Sequence, residues 1–290
     1  MPEYRIFTVD AFASKAFGGN QAGVVPIPSS QPLPDQTMQA LAAEMNIAET
    51  AYFTPLEHQG ADEFQTASTF SLRWFTPVME YMLCGHATLA AAHVLFHELH
   101  NRNEELKFHT LSGILIVRLG SGGQLDMTFP VDRPLPITAN QNHQLLAASV
   151  VGEYSDSLEI LLSPALNYLL VFDPQMTHEQ VAKLEPNFNP EAMAAGQQED
   201  INAVVVTAPG GECDFVSRVF TPWSGDVEDP VTGSAHTVLA PFWAQRLAKT
   251  QFAAVQCSAR TGHLGVRLNG DQVVISGQAV VVIRGSLSLD

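Results

Sequence analysis

Residues 4–11 alternate apolar with polar positions and are rich in β-branched and aromatic side chains, which predicts a strand; residues 17–25 pass through a glycine-rich turn into a second. Met38, Leu41, Ala42 and Met45 recur at helical spacing over residues 35–45. Asp35 stands where it would cap the N-terminus of that helix, and Asn46 suits its C-terminal end. Residues 47–53 then read as a strand with Glu49 near its start, and 65–76 as another. Residues 86–100 are apolar nearly all round for three turns, the mark of a helix buried within its own lobe. Short strands broken at Ser112-Gly113 and at 120–123 fill 106–129, and 130–136 reads as a linker. The second half predicts helices at 143–151 and 178–184, a polar loop over 186–200, and strands at 159–163, 168–172, 201–207, 214–220, 253–258, 262–268, 272–276 and 279–287. Between the strands ending at 220 and starting at 253 lies a second apolar helix. Pro241 falls inside it, removes a backbone hydrogen bond and predicts a kink.

The pattern repeats. Arg73-Trp74-Phe75-Thr76-Pro77 returns as Arg218-Val219-Phe220-Thr221-Pro222, Gly85-His86-Ala87-Thr88 lies in register with Gly233-Ser234-Ala235-His236, and Ser112-Gly113 with its following strand matches Thr261-Gly262 with its own. All three pairs are separated by about half the chain, far beyond the roughly 20–50 residues of solenoid and propeller repeats. The chain therefore reads as an internal duplication with lobes at 1–131 and 132–290, the last strand able to pack on the N-terminal lobe. Strands surround one buried helix in each copy, so the expected fold is α+β: two pseudo-symmetric lobes, each an antiparallel sheet rolled around a central helix.

Composition narrows the partners. With 46% hydrophobic and 15% charged residues the chain is globular, and Lys+Arg 14 against Asp+Glu 30 gives −16, a field that repels phosphate backbones and anionic lipid. Neither nucleic acid nor a membrane is expected as a partner. Cys84, Cys213 and Cys257 are too few for a disulfide framework, the first residues carry no signal-peptide stretch, and no uninterrupted apolar run reaches 18 residues. The expected location is cytoplasmic. The turn at 17–23 has neither a phosphate loop's lysine nor a dinucleotide fingerprint's spacing. His93, His97 and His100 do not form a His-Glu-x-x-His pattern, so neither metal nor cofactor is expected.

Chemistry gathers where the two apolar helices begin. A helix N-terminus offers unpaired N–H groups and partial positive charge, and two such ends facing each other across a cleft between lobes would trap a carboxylate at Gly85 and Gly233. A structural cap needs only one polar residue, whereas here Cys84 and His86 stand at one start, and Asp229, Thr232 and Ser234 at the other.

Five stretches together resemble one family: Phe17-Gly18-Gly19-Asn20, the run from Met45 to Ala51, Arg73-Trp74-Phe75-Thr76-Pro77, the run from Leu83 to Thr88, and the run from Glu228 to His236. Over essentially its whole length the chain is similar to the PhzF-like isomerases of phenazine biosynthesis, and in particular to the phenazine biosynthesis-like domain-containing proteins. That family is related in fold to diaminopimelate epimerase and proline racemase. The resemblance implies a homodimer and a cofactor-free active site between two lobes. It also implies that Glu49 moves a proton between carbons of a small carboxylate, as a glutamate does on a partly reduced, hydroxylated anthranilate ring in the phenazine enzyme. His86, Asp229 and Ser234 match the supporting catalytic positions, with Asn20, Cys84, Gly85, Thr232 and Gly233 on the substrate side. Gln21 departs from the proline usual after Gly-Asn, loosening that loop. The epimerases use a cysteine at each helix start; here only Cys84 is present and Thr232 or its neighbour stands in the other place, which favours an isomerisation on one face of the substrate. Two alternatives follow from the same residues: an epimerase using Cys84 with Glu49, and a binding or regulatory protein that keeps the fold without catalysis.

Overall fold

The computed structural model describes residues 3–57 and 60–289, and its backbone contacts divide the chain into two units, one running to Thr128 and resuming at Ser276, the other from Phe129 to Ile275. In the first unit β1 (Glu3–Ala11) and β2 (Asn20–Pro26) pair antiparallel across a loop over 12–19 that takes positive φ at Phe12, Phe17 and Gly19. A Cβ at Gly19 would collide with the Ala11 carbonyl at 2.0 Å, so only glycine fits there. Helix α1 (Asp35–Met45) carries the chain to β3 (Glu49–Pro55), which lies parallel to β2. After α2 (Glu63–Thr66), β4 (Thr69–Phe75) pairs antiparallel with β3 and with the short β5 (Glu80–Tyr81). The buried helix is α3 (Gly85–His93), followed by β6 (Glu105–Thr110), β7 (Gly113–Leu119) and β8 (Leu125–Pro130). Every residue of α3 from His86 to Ala92 is buried. Four of them are alanine, the best helix former and small enough to let the helix lie close on β2 and β3.

The second unit repeats this plan. Short β9 (Leu135–Pro136) and helix α4 (Gln141–Val151) precede β10 (Glu159–Leu162) and β11 (Tyr168–Phe172). Helices α5 (His178–Ala182) and α6 (Pro190–Gln198) lead to β12 (Ala203–Pro209), which is parallel to β11 and antiparallel to β13 (Phe215–Phe220). Then come β14 (Glu228–Asp229), the buried helix α7 (Ala235–Leu247), β15 (Gln251–Gln256), β16 (Gly262–Asn269) and β17 (Gln272–Gly277). The last strand, β18 (Ala279–Ser288), pairs with β1 and belongs to the first unit.

The duplication extends to side-chain detail. Arg73 grips Glu80 through two bonds of 2.7 and 2.9 Å and lies over the Phe75 ring at 5.1 Å; Arg218 grips Glu228 through two bonds of 2.7 Å and lies over Phe220 at 5.0 Å. In each lobe this fork ties the strand before the helix to the short strand beside it, and bidentate geometry makes it stronger than an ordinary surface pair.

Five expectations need correction. The sheets are mixed: β2–β3, β4–β6, β11–β12 and β13–β15 are parallel, because a helix carries the chain across each of these joints and a helical crossover returns it in the same direction. Asp35 does not cap α1; Pro34 holds the cap position, and the carboxylate instead meets Arg73 Nη1 at 2.6 Å. Asn46 does close that helix, in the left-handed conformation. The helix expected over 86–100 is α-helical only to His93 and then widens into one π turn over Val94–Glu98, with Leu99 N–H donating to the Val94 carbonyl at 2.9 Å. The supposed loop at 186–200 contains α6, started by the Asn189 side chain accepting from the Ala192 N–H and by Pro190 at the first turn. The linker at 130–136 ends in β9, which pairs with β10. Helix α7 runs without a break through the buried Pro241. Among the described residues no helix is long and apolar enough to cross a membrane.

At the end of β17, a Cβ on Gly277 would stand 2.5 Å from the Phe12 ring and 2.9 Å from Leu89 of α3, whereas one on Gly285 in β18 would make ordinary contact at 3.4 Å with Ile6. Gly277→Ala is therefore expected to overpack the first lobe and cost about 1–3 kcal/mol, while Gly285→Ala stays near wild type. Urea midpoints of the two variants, measured side by side, check this.

Candidate active site

In the first unit the site begins with how β3 starts. The left-handed Asn46 turns the chain out of α1, and β3 opens on Glu49 beside Ala22 of β2. Alternation along the strand then divides its side chains: Tyr52 faces α1, its hydroxyl donating to the Met38 carbonyl at 2.7 Å, while Glu49, Ala51 and Phe53 share the face toward α3. The same alternation places buried Asn20, at the start of β2, on the α3 face with Ala22.

Opposite Glu49 is the first turn of α3. His86 Nε2 lies 3.2 Å from Glu49 Oε2, with the two side chains 7% and 15% exposed, and His86 Nδ1 lies 3.4 Å from Cys84 Sγ. Glu49 Oε2 is sealed from solvent and, although close to the imidazole, has no aligned hydrogen bond. Cys84 occupies the cap position without capping; its carbonyl is taken by the Thr88 hydroxyl at 2.6 Å and the Thr88 N–H at 3.2 Å. Burial, reinforced by the Glu49 charge, pushes the Cys84 thiol up and keeps it protonated. Burial also disfavours the His86 imidazolium, but the Cys84 sulfur and then the Glu49 carboxylate outweigh it and raise His86 well above its ordinary value.

The second unit holds the remaining candidates on its own scaffold. Asp229, on β14 opposite Val219, accepts a hydrogen bond from the Thr232 hydroxyl. Gln256, fully buried at the end of β15, locks the same loop: its Oε1 accepts from the Thr232 N–H at 2.8 Å and its Nε2 donates to the Asp229 carbonyl at 2.7 Å. Ser258 adds a bond to the Pro230 carbonyl at 2.8 Å. Ser234, after Gly233, has helical backbone angles and does not cap α7; its hydroxyl meets the Tyr168 hydroxyl at 3.0 Å. His236 Nδ1 meets the Thr232 carbonyl at 2.9 Å, repeating at the equivalent position what Thr88 does for Cys84.

A family model described as phenazine biosynthesis-like protein (PhzC-PhzF) matches residues 9–285. The chain belongs to that family. An uncharacterized isomerase of Pseudomonas aeruginosa is 44% identical over 99% of this chain and 100% of its own, and phenazine biosynthesis-like domain-containing protein 1 of Mus musculus is 41% identical over 98% of each. The crystal structure of a PhzF-family protein from Enterococcus faecalis is 36% identical, with a TM-score of 0.85 over 99% of this chain and 100% of that one.

Within this PhzF-family chain, then, Glu49, Cys84 and His86 come together in one lobe, and Asp229, Thr232 and Ser234 neighbour one another in the other. Sequence reading missed Tyr168 and Gln256. Tyr168 sits at the start of β11 paired with Ala203, the place that Ala22 takes beside Glu49 in the first lobe. A hydroxyl-bearing aromatic at a strand start opposite the repeated motif was the signal available. Gln256 offered one too, as a polar residue ending an otherwise half-apolar strand.

His236 generates a pH dependence. Burial holds it neutral, with its pKa pushed down to about 4, and the Thr232 carbonyl opposes that only in part. As pH falls the unfolded chain takes up the proton first, so the contribution is whole above pH 6.5 and is lost progressively toward pH 4, by roughly 3 kcal/mol. His93, pushed down to about 4 chiefly by burial, acts in the same sense. Urea midpoints are expected to fall between pH 6.5 and 4 in the wild type and to fall less in His236→Asn, which keeps a donor for the Thr232 carbonyl.

Proposed function

We propose that this protein is a cofactor-independent isomerase that moves a proton between two carbons of a small carboxylate-bearing metabolite, with Glu49 as the acid/base. The observation that carries this reading is the Glu49–His86 pair at 3.2 Å, largely withdrawn from solvent where the start of β3 meets the uncapped first turn of α3. Glu49 takes a proton from an activated carbon, the C–H electron pair moves into the adjoining conjugated system, and the new carboxylic acid delivers the proton to a second carbon of that system. His86 steadies Oε2, leaving the other oxygen for the substrate. One base suffices for this, and the repeat supplies one: β-sheet register puts Thr50 opposite Phe75 and Val204 opposite Phe220, so Ala203 stands where the second lobe would need its own Glu49. In the proposal Asn20, Cys84, Gly85, Thr232 and Gly233 serve substrate binding, Asp229 and Ser234 support the proton transfer, and the enzyme works as a homodimer in the cytoplasm; a monomer mass by light scattering at micromolar concentration would remove the dimer alone.

A second reading, an epimerase using the Cys84 thiol with Glu49, draws on the 3.4 Å contact between Cys84 Sγ and His86 Nδ1. The raised thiol pKa weighs against it, since the thiolate is the reactive form. The two separate in one experiment. Small unsaturated ring carboxylates, hydroxylated or amino-substituted, are incubated with the enzyme in D2O and deuterium on carbon is followed by NMR. Glu49→Gln is expected to lose exchange by about 10²–10⁴-fold, and Cys84→Ala to keep most of it. Retained exchange in Glu49→Gln with loss in Cys84→Ala would overturn the carboxylate mechanism in favour of the thiol. Ser234→Ala is expected to slow exchange by a smaller factor, and unchanged exchange in that variant would remove Ser234 from the proposal.

A further inference from the structure

We infer that Glu49, Cys84 and His86 also form a three-ligand site for a zinc-class divalent cation. Among the described residues this is the only group of three His, Cys, Asp or Glu side chains close enough to share an ion: one donor atom from each lies within 4.8 Å of the other two. A thiolate, an imidazole nitrogen and a carboxylate oxygen are the donors that zinc takes, and three protein ligands with a fourth position open is the arrangement of a reactive site. Magnesium and calcium, which want several oxygens, are excluded by the same set.

The spacing fits. Tetrahedral bonds of ordinary length would hold nitrogen and oxygen about 3.3 Å apart and sulfur and nitrogen about 3.6 Å apart. His86 Nε2 and Glu49 Oε2 are 3.2 Å apart, and Cys84 Sγ and Nε2 4.0 Å. The thiol lies nearer Nδ1, at 3.4 Å, so gathering all three donors on one ion takes a turn of the imidazole or of the Cys84 side chain as well as a shortening of these distances. Independent support comes from Glu49 Oε2, which is buried and has no aligned hydrogen bond, a cost that an ion would relieve. The ligands come from two separate elements, the start of β3 and the entry to α3, so no short motif marks the site in sequence. The histidines that do share a helix face, His93 and His97, lie tilted to each other with ring centroids 4.6 Å apart, and among the described residues they find no third donor.

Binding displaces the protons these groups carry: the Cys84 thiol proton, and the imidazolium proton of His86 where it is present, pass to solvent as the metal–sulfur and metal–nitrogen bonds form. No electron changes hands. An ion held there occupies the carboxylate assigned above to proton transfer, so the consequence is reversible inhibition by thiophilic metals. The binding itself does not rest on that functional reading.

Cobalt(II), whose thiolate complexes absorb in the near ultraviolet, tests the site directly. Tag-free protein, stripped of metal and kept reduced with a phosphine, is titrated with cobalt chloride. The expected result is a band that saturates at one equivalent, is bleached by zinc, is absent from Cys84→Ser, persists in Cys213→Ser/Cys257→Ser, and in Glu49→Gln needs at least roughly tenfold more cobalt. Far-UV circular dichroism establishes that each variant is folded. If Cys84→Ser does not fold, His86→Asn replaces it, with loss of the band expected. No saturable band in the wild type, a band surviving in the folded Cys84→Ser or His86→Asn, or a band lost with Cys213 and Cys257 would each overturn the inference. Deuterium exchange onto carbon is a separate readout, so failure of the proton-transfer mechanism and failure of the metal site are told apart.

Discussion

A helix that is apolar on every side has to be enclosed, and much of each lobe follows from enclosing one. Strands wrap α3 and α7, and the polar openings that this leaves are at the helix ends. At the entering end the carbonyl of the residue before the glycine is withdrawn from water, so it needs a partner from the helix itself. Thr88 supplies it for Cys84 and His236 for Thr232. Two unrelated side chains perform one duty at equivalent positions because an unpaired buried carbonyl costs more than either residue's helix propensity.

That shared duty contrasts with how far the rest of the two helix starts has diverged. In the first lobe a carboxylate at the start of β3 meets the imidazole of α3; in the second, a phenol one strand over meets the hydroxyl of Ser234, just before α7. Both loops are tied by a serine, Ser112 to the Met82 carbonyl and Ser258 to the Pro230 carbonyl, and the second is held by Gln256 in addition. One copy thus offers a carboxylate–imidazole pair in a confined space, the other a carboxylate and hydroxyls held in a hydrogen-bonded loop. Division of labour of this kind is what duplication permits once each copy no longer has to do everything.

The architecture was legible in the sequence where a side chain has a nearby and repeated task. The recurrence of Arg-x-Phe-Thr-Pro marks the two forks to Glu80 and Glu228, and the apolar helices announce their burial. Legibility fails where a partner is distant in sequence. Asp35 looks like a cap and is recruited by Arg73; Tyr168 and Gln256 look like strand residues and are drawn to Ser234 and Thr232. Strand direction was hidden for another reason: alternation records which face is buried and carries nothing about whether the neighbour runs the same way. The π turn after His93 escaped because one extra residue in a turn barely disturbs an apolar run. At the candidate site, Glu49, Cys84 and His86 were readable as residues, but their mutual contact depends on the left-handed Asn46 and on strand parity, which no local pattern displays.

The last strand of the second repeat completes the sheet of the first: β18 pairs with β1 and belongs to the first unit, while β9 pairs with β10 inside the second. The first half of the chain therefore encodes an incomplete domain, and cutting the chain at its midpoint does not yield two whole lobes. On the ribosome the outer edge of β1, with its buried-type Phe7 and Val9, waits for β18 while the whole second repeat is made, a delay on the order of ten seconds at ordinary elongation rates. Open apolar edges template aggregation, and a chain truncated before residue 279 leaves that edge without its partner strand.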